Sequence, residues 1–138
     1  MKTLSKKVEN IAKNEDNDFL LTVGGDHSIG SATISGMISR FPNLKLIWVD
    51  AHADLVNPSL GVRKSYNYHG MPLSHVSGVF KLNGFDWMNV IPFENIVLIG
   101  IRDIEEAEFQ TIVKNKIKSF TMDHIEKFGI GNVMKQAF

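Results

Sequence analysis

Cysteine is absent from all 138 residues. That excludes disulfides and thiolate metal sites and permits a reducing compartment. No apolar stretch approaches a membrane span, and Met1 leads into Lys and Ser rather than a signal-peptide core. An excess of either charge is missing too. Lys and Arg number 15, Asp and Glu 15, with no long run of one sign. This balance argues against nucleic acid or an anionic membrane as the main partner. There is no internal repeat and no low-complexity tract. What remains is ordinary for a soluble globular chain: 43% hydrophobic and 22% charged residues. The length suits one domain, residues 1–138, with a moderate core, and a cytoplasmic location is the expectation.

Along the chain, apolar positions Leu4, Val8, Ile11 and Ala12 have helical spacing. The polar cluster at 14–18 ends that helix. Residues 19–23 form an apolar run of strand length that meets Gly24-Gly25. A second helix is expected from Ser28, with Ile29, Ala32, Ile34, Met37, Ile38 and Phe41 on its apolar face and Pro42 as its stop. Residues 44–49 are the next strand. Both runs are too apolar for a wet face, so this strand–helix–strand unit belongs in a parallel sheet covered by helices on both faces. Residues 57–70 read as a polar, turn-rich loop of the kind that carries function. A helix at 71–82, a buried strand at 95–101 and a helix at 105–116 follow. The end of the chain reads as a strand at 118–121, a short helix at 123–128 and another helix from Gly131.

Chemistry gathers where the apolar run 44–49 stops. Asp50, His52 and Asp54 recur at every second position, and in an extended chain such side chains point the same way. On a helix the same spacing would scatter them. Two carboxylates and an imidazole form an oxygen-rich set that suits manganese or magnesium better than structural zinc. Without a cation, carboxylates held together repel one another. His27, in Gly24-Gly25-Asp26-His27-Ser28, falls at the expected carboxyl end of the 19–23 strand. If the two strands are neighbours, it reaches the same sheet edge. Taken alone, the glycine pair reads equally well as a plain turn with Ser28 as helix N-cap.

Three segments together resemble the first signature blocks of the ureohydrolases. They are Gly24-Gly25-Asp26-His27-Ser28, Val49-Asp50-Ala51-His52-Ala53-Asp54 and Asn67-Tyr68-His69-Gly70-Met71-Pro72-Leu73. The third block points to the arginases, and the likeness continues through Ile99-Gly100-Ile101-Arg102-Asp103 and Phe128-Gly129-Ile130-Gly131. The resemblance implies an incomplete three-layer αβα fold and a binuclear manganese enzyme that hydrolyses L-arginine to L-ornithine and urea, as a homotrimer. It implies that His27 and Asp54 hold the first Mn2+, His52 the second, and Asp50 bridges both. His69 becomes the proton shuttle for the leaving amine. Ser65 and Asn67 match positions that contact the α-carboxylate of the substrate, and Glu105 stands where the α-amino group is taken. Nothing comparable attaches to His75 or His124, which read as surface or helix-start residues. Arg102-Asp103 reads as a structural ion pair, and Trp48 and Trp87 as packing.

The chain departs from the arginase pattern in places. Val56 replaces an Asn that helps hold the substrate carboxylate. Glu105 replaces an Asp, lengthening its reach by one methylene. The 57–68 loop is slightly long. The later Ser-x-Asp-x-Asp block, whose aspartates complete both metal sites, has no counterpart after Asp103, so the chain is expected to be a fragment or truncated version. Two alternatives stand beside arginase: a ureohydrolase for another guanidino compound such as agmatine, and a non-catalytic relative with an assembly or regulatory role.

Overall fold

The computed structural model describes residues 1–14, 19–60 and 67–138. They form two compact units, each discontinuous in sequence: residues 1–44 with 54–91, and residues 45–53 with 92–138.

The first unit is helical. α1 (Lys2–Ala12) packs on α2 (Ile29–Arg40), and α2 packs on α3 (Pro72–Ser77). The α1–α2 contact is close because α2 buries small residues, Gly30, Ser31, Ala32, Ser35 and Gly36. A Cβ on Gly36 would lie 2.6 Å from the Ser5 carbonyl oxygen and 2.9 Å from Val8, so only glycine allows this approach. Asn89 fastens the later chain to α2. Its backbone N–H donates to Ser35 Oγ at 3.0 Å, and its side-chain amide donates to the Ser35 carbonyl at 3.0 Å and to Ser39 Oγ at 2.7 Å. Leu55, Val56, Leu73, Val76 and Ile91 are buried in this unit.

The second unit holds the sheet. Its strands β1 (Leu46–Val49), β2 (Ile96–Ile101) and β3 (Lys118–Thr121) are parallel, with β2 central. All six residues of β2 are buried, as its unbroken apolar run requires of a central parallel strand. α4 (Glu106–Lys114) has Glu106 and Glu108 in its first turn and Lys114 in its last, the order that its dipole favours. α5 (Met122–Phe128) and α6 (Ile130–Ala137) follow β3. Val133 and Ala137 of α6 pack on Val97 and Ile99, joined by Phe120 and Ile125. Lys118 Nζ donates to the Gln136 carbonyl at 2.7 Å, neutralising the carboxyl end of α6. His124 is a helix-start residue as expected: it completes the N-cap of α5, accepting the Thr121 N–H on Nδ1 at 3.0 Å.

Several expectations are corrected. Residues 19–23 form no strand, and Phe19, Leu21 and Val23 are exposed. An apolar run becomes a strand only where its N–H and C=O groups join a ladder, and this run joins none of those described. β1 also has a wet face: Val49 is 73% exposed while Trp48 is 5% exposed. Register sets Ile47 and Val49 beside Val97 and Ile99, and the cluster with α6 stops at β2. α3 ends at Ser77 instead of running to residue 82, because Gly78 takes the left-handed conformation (φ 76°) and caps it. Among the described residues, no helix is long and apolar enough to cross a membrane.

His75 is the largest surprise of the first unit, for it is buried rather than on the surface. Its ring lies among Tyr68, Phe80 and Phe85, with Nδ1 3.2 Å from the Phe80 carbonyl oxygen. Its Nε2 has no hydrogen-bond partner among the described residues. The ring borders a cavity of about 50 Å³, room enough for a water. Burial pushes the imidazole pKa below 6.5, because the charged form loses its hydration; the bond to Phe80 opposes this more weakly. Between the lowered value and 6.5 the unfolded chain therefore binds a proton that the folded chain refuses. Stability is fully present above pH 6.5 and falls as pH drops through it toward the folded value. Thermal melts at pH 7.5 and 5.5 are expected to show a larger loss for the native chain than for His75→Phe. Equal losses would contradict a neutral buried imidazole.

Candidate metal centre

In the first unit the site is built from two segments. Asp26 Oδ1 accepts the Ser28 N–H at 2.8 Å, closing the bend that leads into α2 and carries His27 between them. Ser28 occupies the N-cap position, but its side chain makes no cap hydrogen bond. Hydrogen bonds from Ser28 hold the Asp26 carboxyl below its usual range, helped by the nearby His69 and His27. The second segment begins at Asp54, whose carbonyl accepts the Ser74 N–H at 3.0 Å. Ser74 Oγ, at the start of α3, donates to the Val56 carbonyl at 2.7 Å. This anchoring holds Asp54 in the left-handed region, φ 50°, a conformation that Asp tolerates better than most side chains. The result is a close contact: His27 Nδ1 lies 2.9 Å from Asp54 Oδ2, with the two side chains 40% and 7% exposed.

The second unit carries its own group of candidates, just past β1. The Asp50 N–H donates to the Ile99 carbonyl at 3.1 Å, and the Arg102 and Asp103 N–H groups both donate to the Ala51 carbonyl, at 2.9 and 3.0 Å. Gly100 permits this close seam. It has φ 87° at an irregularity in the β2 ladder, and a Cβ there would sit 3.4 Å from the Asp50 carbonyl oxygen. The chain bends at 50–52 instead of continuing as a strand. Asp50 Oδ1 accepts the His52 N–H at 2.9 Å and lies 3.3 Å from His52 Nδ1. Strand alternation is therefore not what sets Asp50 beside His52. An Asx turn does it, a preference of Asp after a strand that the spacing argument overlooked.

The remaining candidates lie elsewhere. His69 is exposed on a 3-10 turn (Tyr68–Gly70), and Asn67 precedes it, its carbonyl accepting the Gly70 N–H at 3.0 Å. Ser65 lies outside the described residues. Glu105 is the N-cap of α4, sharing a capping box with Glu108, whose carboxylate accepts the Glu105 N–H at 3.1 Å. Val56 is buried, so its side chain serves packing. The expected Arg102–Asp103 ion pair does not form. Arg102 Nη1 donates to the Gly100 carbonyl at 3.2 Å, and Asp103 Oδ2 lies 3.4 Å from His52 Nε2.

The sheet is that of an α/β protein with imidazole and carboxylate groups just past a strand end, and comparisons narrow the class. The sequence profile of the arginase family matches residues 1–138, and the chain belongs to that family. It is 44% identical to an arginase of Staphylococcus aureus over 137 residues, covering 96% of this chain and 43% of that one. Among solved structures, the cold-adapted arginase of Glaciozyma antarctica superposes with a TM-score of 0.83 at 37% identity, over 99% of this chain and 50% of that one. An Entamoeba histolytica arginase solved in complex with L-ornithine gives a TM-score of 0.82 at 31% identity, over 96% and 45%. The chain thus spans about half the length of these relatives or less. The fold is an incomplete form of the arginase αβα arrangement.

Proposed function

We propose that this chain carries the metal-ligand and proton-transfer part of an arginase-type ureohydrolase, which hydrolyses L-arginine to L-ornithine and urea with two manganese ions. The observation that carries the reading is the approach of His27 Nδ1 to within 2.9 Å of the carboxylate of the buried Asp54. A ring nitrogen and a carboxylate oxygen already directed at one point, with no thiolate anywhere in the chain, fit a hard divalent cation. His27 and Asp54 would hold the first ion, His52 the second, and Asp50 both. Bound there, the ions supply an acidified water able to attack a guanidinium carbon near neutral pH. His69, exposed on its turn, delivers a proton to the departing amine. Asn67 and Ser65 would receive the substrate α-carboxylate, and Glu105 its α-amino group. A homotrimer in the cytoplasm accompanies this reading by family resemblance.

Val56 favours a second reading. Its buried isopropyl group offers no hydrogen bond to an α-carboxylate, which at a polar contact costs about 1–3 kcal/mol. That favours a guanidino substrate lacking the carboxylate, such as agmatine. Urea release with Mn2+, measured on arginine and on agmatine, separates the two, and no release from either would count against both.

The ligands named above leave two ions under-coordinated, so manganese is expected to be held weakly. Metal analysis after exhaustive dialysis is expected to find much less than one Mn2+ per chain. Two retained ions would overturn the incomplete-site argument.

A further inference from the structure

We infer that Asp103 is a positioning residue: its carboxylate fixes the ring orientation and tautomer of His52. The inference rests on the reading of His52 as a manganese ligand.

The two ring nitrogens of His52 face different carboxylates. Nδ1 lies 3.3 Å from Asp50 Oδ1, and Nε2 lies 3.4 Å from Asp103 Oδ2. A cation shared by Asp50 and His52 takes the lone pair on Nδ1, which leaves the proton on Nε2. A metal-bound imidazole is commonly held by a carboxylate at its other N–H, which fixes the tautomer and raises ligand basicity. Asp103 is placed for that task by the backbone. Its N–H and that of Arg102 both donate to the Ala51 carbonyl, one residue before His52. The segment bearing the carboxylate is thus fastened to the segment bearing the imidazole. Arg102 does not compete for Asp103, since its guanidinium turns to the Gly100 carbonyl. The Asp103 side chain is 81% exposed, so packing does not explain where it points.

Asp103→Ala, Asp103→Glu and His52→Ala separate the possibilities. Mn2+ titration is read by the loss of the free-ion paramagnetic signal, and 15N shifts of the His52 ring are recorded without metal. Asp103→Ala is expected to weaken Mn2+ binding about tenfold to hundredfold, with Asp103→Glu restoring most of it. The metal-free melting temperature should stay unchanged. The ring shifts should move toward the Nδ1-protonated form, whose proton faces Asp50 at 3.3 Å, a readout that stands even where Mn2+ binding is too weak to titrate. Unchanged shifts in Asp103→Ala would overturn the inference. So would unchanged Mn2+ affinity in Asp103→Ala where His52→Ala abolishes binding, while the ligand reading survived. Unchanged affinity in His52→Ala would take down the ligand reading and this inference together.

Discussion

Leu98→Ala is expected to cost about 2–5 kcal/mol of folding stability. Leu98 is fully buried at the middle of β2, between Trp48 of β1 and Ser119 of β3 in the register. Removing three carbons from such a site forfeits their transfer free energy and leaves a cavity that neighbouring strands cannot close. Folded domains rest on about 5–15 kcal/mol in all, so the variant should be largely unfolded or melt far below the native chain. A urea titration followed by circular dichroism measures it. A midpoint shift worth less than about 1 kcal/mol would show that β2 is not the packing centre of its unit.

Asp50→Asn carries the second large effect, on metal binding rather than on folding. Asparagine keeps an oxygen to accept the His52 N–H that Asp50 now accepts at 2.9 Å, so the turn after β1 survives. On the proposed reading of Asp50 as a ligand shared by two cations, it removes the negative charge that they would share. Losing an outer-shell partner weakens metal sites about tenfold to hundredfold, and losing a charged ligand should exceed that. The weak Mn2+ binding of the native chain should drop below detection, read by the free-ion paramagnetic signal at high protein concentration, while the metal-free melt is preserved. Native affinity in Asp50→Asn would remove this residue from the ligand set.

Much of this was legible in the sequence, for reasons that can be named. Helical spacing located α1 and α2, and the uninterrupted apolar run located β2, because period and continuity report directly on burial. The donors at His27, Asp50, His52 and Asp54 were legible as residue types placed after apolar runs. The bend at 50–52 was not, because alternation presumes that the strand continues, and the Asx turn ends it. The run at 19–23 misled for a related reason. Hydrophobicity states what a segment could bury, and only a neighbouring strand decides whether it becomes one. His75 was overlooked because nothing local marks it; its burial comes from Phe80 and Phe85, later in the chain. Arg102 and Asp103 looked like a pair because they are adjacent, yet each found a better partner across the turn.

The chain leaves its first compact unit at residue 44, returns at 54 and leaves again at 91. A protease cutting once, anywhere between them, would therefore free neither piece. During synthesis, Leu46 must wait for Ile96 to emerge before their ladder can close. That delay makes β1 a late arrival, with its side chains open to unwanted company until its neighbour is made.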